Sequence, residues 1–95
     1  MADRINEQNY ESMISTLKQY ASRIHSEVET MQGIGNTCIQ AIGDEDEAVG
    51  KIVSDLRSCE RKYLEAAKQA LSIANTMQEE LDAQRREREI WNSDD

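Results

Sequence analysis

From Tyr10 onward, apolar residues recur at alternating intervals of four and three: Tyr10, Ile14, Leu17, Ala21, Ile24, Val28, Met31, Gly35, Cys38 and Ile42. After a polar break the same rhythm resumes through Val49, Ile52, Leu56, Cys59, Tyr63, Ala66, Ala70, Ile73 and Met77. An average spacing of 3.5 residues draws one stripe along a helix and marks the seam of left-handed helix packing. Two stripes separated by a short interval predict an all-α chain, a long antiparallel helical hairpin. Helix 1 is expected over about 6–42, the turn over about 43–46 and helix 2 over about 47–88, with a flexible tail over 89–95. At ~1.5 Å rise per residue each helix runs for roughly 50 to 60 Å.

The interval between the stripes, 43-GDEDE-47, has the chemistry of a hairpin corner. Gly43 follows the last seam residue of helix 1, where a left-handed position favours glycine. Asp44 is expected to cap helix 2, with Glu47 three residues on in a capping-box-like spacing. The other acids suit the positive end of the helix dipole. A calcium loop starting at Asp44 fails, because Ala48, Val49 and Asp55 occupy positions that need an oxygen ligand, a glycine and a bidentate glutamate. Gly33 and Gly35 each weaken a helix by ~1 kcal/mol relative to alanine. The seam nevertheless stays in phase through Cys38 and Ile42, so helix 1 is expected to be continuous but locally weak or kinked.

More apolar residues are present than one seam uses. Met13, Tyr20, Ile34 and Ile39 lie beside the first stripe. Val53, Ala67, Ala74 and Leu81 lie beside the second, with Leu64 and Leu71 on its opposite flank. A single partner helix covers only a narrow stripe. The surplus therefore predicts a second hairpin, from another helical protein or a second copy of the chain, completing a four-helix bundle. Its expected interface comprises Met13, Tyr20, Ile34, Ile39, Val53, Leu64, Leu71 and Leu81.

Composition narrows the partners. The chain of 95 residues lacks proline and phenylalanine and is rich in helix formers. A net charge of −8 argues against nucleic acid and anionic lipid, which both require a cationic footprint. No run approaches the ~18 apolar residues of a spanning helix, so membrane insertion is not expected. The opening residues lack the apolar core of a secretory signal. The expected location is the cytoplasm, or outside the cell after secretion without a cleavable signal peptide.

Candidate chemistry is sparse. Cys38 and Cys59 match no metal or redox motif and are expected to stay reduced, with no bridge within the chain. His25, the one histidine, has Glu29 a turn later, the spacing of a surface ion pair. No nucleophile-and-base set, zinc spacing or phosphate loop can be assembled. No catalytic, metal or cofactor-binding residue is therefore assigned, and a non-enzymatic protein with no cofactor is expected.

The two long helices, the central glycine turn, the acidic charge and the ragged C-terminus together resemble the WXG-motif family of small type VII secretion proteins. Gly43 matches the glycine of that family's Trp-x-Gly turn, while Ala41 stands at the tryptophan position. That departure points to the related motif-less helical proteins that accompany LXG-type toxins. The family also carries an export signal past helix 2, an aromatic followed four residues later by an acid. Trp91 and Asp95 have that spacing, with tryptophan in place of the usual tyrosine or phenylalanine. The resemblance implies a hairpin that pairs with the N-terminal helical region of a secreted toxin and helps target it for export. The alternative is a homodimeric four-helix bundle serving as a cytosolic scaffold or regulator.

Overall fold

The computed structural model describes residues 4–93 and contains two helices, α1 (Glu7–Ile42) and α2 (Glu47–Ser93), packed as an antiparallel hairpin 74 Å long and 18 by 16 Å across. The helix α1 starts where Asn6 Oδ1 accepts a hydrogen bond from the Asn9 backbone N–H at 3.0 Å, satisfying one of the donors a helix start leaves free. It runs unbroken through Gly33 and Gly35. A Cβ added at Gly35 would meet Leu56 Cδ1 at 3.8 Å and Val53 Cγ2 at 4.0 Å, ordinary contact, so this seam glycine is not demanded by crowding.

The corner departs from expectation in two details. Gly43 has φ 108° and ψ 155°, outside the left-handed helical region and in a region almost exclusive to glycine, while its N–H still donates to Ile39 O at 2.8 Å. The cap of α2 is Asp46 rather than Asp44: Asp46 Oδ1 accepts from the backbone N–H groups of Ala48 at 2.9 Å and Val49 at 3.1 Å. Asp44 and Glu45 form the turn itself, which leaves Asp46 as the residue entering the helix and Glu47 as its first helical residue. Replacing Asp46 with alanine is therefore expected to cost ~1 kcal/mol in a denaturant titration, and Asp44→Ala only a few tenths.

On α1 the predicted seam is the buried one, with Ile14, Ala21, Ile24, Val28 and Gly35 inside. On α2 the stripe is turned by one residue. Val49 and Ala70 are buried as expected, but Ala67, Ala74 and Leu81 join them, while Ile52, Cys59 and Ile73 lie exposed. The cause is a volume match. Ile24 and Val28 pack with Ala21 and Ala67, and Ile14 packs with Ala74 and Leu81. Branched residues of α1 thus meet small residues of α2 along the middle of the seam, with Leu81 completing it toward the open end. Leu81, expected at the partner interface, is core.

The expected tail is also helical as far as Ser93, since 84-QRREREIW-91 is built largely of good helix formers and is held at its start by α1. Among the described residues no helix is long and apolar enough to cross a membrane.

Candidate functional site

The open end of the hairpin is fastened by a polar clasp. Glu7 accepts from Arg85 Nε at 3.1 Å, from Gln84 Nε2 at 3.1 Å and from both terminal nitrogens of Arg88; Arg85 also bonds Glu11. Gln84 pairs with the backbone of Ile5, taking its N–H at 3.0 Å and donating to its carbonyl at 3.3 Å. The signal for the clasp was Glu7 and Glu11 at one-turn spacing against Arg85 and Arg88 at similar spacing, legible only once the hairpin register is fixed.

These donors, Arg88 first and then Arg85 and Gln84, lower the Glu7 carboxyl from 4.5 to about 2. Because the folded value is depressed, the clasp's contribution is complete above pH 4.5 and is lost as pH falls toward 2. The expected result is a Glu7 carboxyl titration near pH 2 by carbon NMR. Glu7→Gln is expected to remove this component of the acid sensitivity of unfolding. A Glu7 midpoint at the ordinary glutamate value would disprove the clasp.

One edge of the hairpin is marked by Tyr10, whose hydroxyl donates to Glu80 at 2.7 Å. This bond favours the neutral phenol and raises the Tyr10 pKa. Met13 lies one turn beyond Tyr10 on α1, and Tyr20 and Ile34 follow at heptad spacing; Ile73 lies two turns before Glu80 on α2. All four are exposed along this edge.

The other edge carries two grooves. One, of about 270 Å³, is lined by Ile39, Val53 and Leu56 beside Gly35, with Arg57 and Glu60 at its rim. The second, of about 520 Å³, is lined by His25, Leu64, Lys68 and Leu71. The structure thus divides the expected interface. Met13, Tyr20 and Ile34 follow one edge, Ile39, Val53, Leu64 and Leu71 the other, and Leu81 is interior. Ile73 and Ile52 are exposed apolar residues that sequence reading had placed inside.

Trp91 lies in the last two turns of α2 and is 74% exposed. Asp95, its expected companion, falls outside the described residues. Cys38 and Cys59 are both free thiols. Among the described residues no three His, Cys, Asp or Glu side chains are grouped to hold a metal ion, and the acids of the turn do not converge. No family model matches this chain, and no curated protein or solved structure matches it.

Proposed function

We propose that this chain is a non-enzymatic recognition module: a helical hairpin that pairs with helices of another protein and carries an export address at the end of α2. The observation that carries the reading is the pair of apolar edges, Met13, Tyr20, Ile34 and Ile73 on one side and Leu64 and Leu71 on the other, flanking a seam too narrow to cover them. Large apolar side chains left exposed in line along the edges of a small protein mark a surface for another protein. The partner fitting the type VII resemblance is the N-terminal helical region of a secreted toxin. Trp91 supports the address, because an indole this exposed contributes little to the hairpin's own packing.

The test is made in a host bearing a type VII system. Trp91→Ala is expected to leave helicity and partner binding nearly unchanged, since little packed area is lost, and to leave the protein and its partner in the cytosol. Asp95→Ala is expected to do the same. Normal secretion with both residues changed would remove the export half of the reading. Loss of helicity on Trp91→Ala would make Trp91 a structural residue instead.

A further inference from the structure

The two halves of the hairpin are held together very differently. Both clusters of buried apolar side chains lie toward the open end, one joining Ala21, Ile24 and Val28 to Ala67, the other joining Ile14 to Ala74 and Leu81. The polar bonds between the two arms are gathered there too: Glu7 with Arg85 and Arg88, Glu11 with Arg85, Tyr10 with Glu80, and Ile5 with Gln84. The half nearest the turn has neither. Of residues 29–60 only Gly35 and Val49 are buried, and Gly35 contributes no side chain. The side-chain hydrogen bonds of this half link Thr30 to Ser26, Thr37 to Gly33, and Asp46 to Ala48 and Val49, so each stays within one helix and its cap.

The same half is also weak along the chain. Gly33 and Gly35 lower the helix propensity of α1 within a single turn, and Thr37 Oγ1 donates to the Gly33 carbonyl at 2.8 Å, a back-bond that competes with the helical ladder. Beside these residues the seam is incompletely filled. The groove of about 270 Å³ opens next to Gly35, between Ile39, Val53 and Leu56. Few buried apolar side chains, a weakened helix and loose packing in one contiguous stretch are the marks of a section that opens on its own.

We infer that the turn half, residues 29–60, is a separately opening section: it unwinds, starting at Gly33 and Gly35, while the mouth half stays assembled. The covalent connection through the turn does not prevent this. With the mouth holding the two arms together, unwinding only lengthens the loop that joins them, and the entropy of closing a loop grows slowly with its length. Parting of the mouth is opposed by both clusters and by the clasp. Opening bares Ile39, Val49, Val53 and Leu56, which the closed hairpin keeps wholly or partly covered. The yielding end of this molecule is thus the one closed by the turn, and the fixed end is the one where the chain begins and ends.

The test is native-state hydrogen exchange of the full chain, resolved along both helices. Amides of residues 33–42 and 49–58 are expected to be at least about tenfold less protected than those of residues 14–28 and 67–81. Ile14→Val removes one buried methylene from the mouth half and is mild enough to keep the fold, which circular dichroism checks. It is expected to lower protection of the mouth half about fivefold and to leave the turn half unchanged, because Ile14 stays packed when only the turn half opens. Gly35→Ala, whose added Cβ meets Leu56 and Val53 at ordinary contact distances, is expected to raise protection of the turn half about fivefold. Equal protection of the two halves, or a turn half that loses protection in step with the mouth on Ile14→Val, would show one cooperative unit and overturn the inference. A turn half indifferent to Gly35→Ala would do the same. Neither a partner nor export enters these measurements, so they leave the proposed function to its own test.

Discussion

Leu81→Ala is expected to lower stability by about 2–5 kcal/mol, the range for deleting a buried leucine where the surroundings cannot collapse. Leu81 is 1% exposed and is the largest fully buried side chain of the hairpin. It anchors the cluster with Ile14 and Ala74, packed around by Ile5, Tyr10, Leu17 and Met77. Its cluster partner on α2, Ala74, is too small to fill the gap. Stabilities of whole domains are only about 5–15 kcal/mol, so the substitution removes a large share of what a two-helix structure has. The measurement is a thermal melt followed by circular dichroism, beside Leu71→Ala as the exposed comparison. Leu71 lies at the surface and should cost under about 1 kcal/mol. Equal losses for the two leucines would show that the α2 stripe has been turned the wrong way.

Gly43→Ala is expected to cost ~1–3 kcal/mol, although nothing surrounds the position. Beyond its own chain neighbours no heavy atom lies within 4 Å of a Cβ built there, so the cost is conformational: φ of 108° with ψ of 155° is a backbone that an L side chain disfavours. The helix-interior Gly33 is the control, since it too has open space around it but no positive φ. Gly33→Ala should stabilise by up to ~1 kcal/mol. In paired denaturant titrations the two substitutions are therefore expected to move the midpoint in opposite directions. A neutral Gly43→Ala would mean that the corner can be redrawn with ordinary backbone angles.

The hairpin and the buried face of α1 were legible in the sequence because every buried residue of α1 lies on one alternation of fours and threes. On α2 two stripes compete. Ile52, Ala66 and Ile73 lie on one side of the shared positions Val49, Leu56, Ala70 and Met77; Val53, Ala67 and Ala74 lie on the other. Hydrophobicity favours the bulkier set, yet the smaller one is buried, because the choice depends on the branched residues of the facing helix. That is a property of two helices together and cannot be read along one.

The cap was misassigned for a related reason. Four acids in a row offer several capping oxygens, and the length of the turn selects Asp46. The clasp joins residues nearly eighty positions apart, so it emerges only after the register is known. The exposed flanks at Met13, Tyr20, Ile34, Leu64 and Leu71 were legible because they are simply what the seam leaves over.

The alanines that line the middle of α2 have one further consequence. Alanine has no rotamers to lose, so this stretch closes at almost no side-chain entropic cost, but it also offers nothing by which one helix could recognise its proper alignment on the other. Ala67, Ala70 and Ala74 make a smooth rail along which a shift of one heptad would find similar company. The stops stand at the two ends: Val49 and Asp46 beside the corner, Leu81 and the Glu7–Arg85–Arg88 group at the mouth. A hairpin built this way keeps its alignment through its extremities, and changes made there should scramble the pairing, whereas changes along the rail should only loosen it.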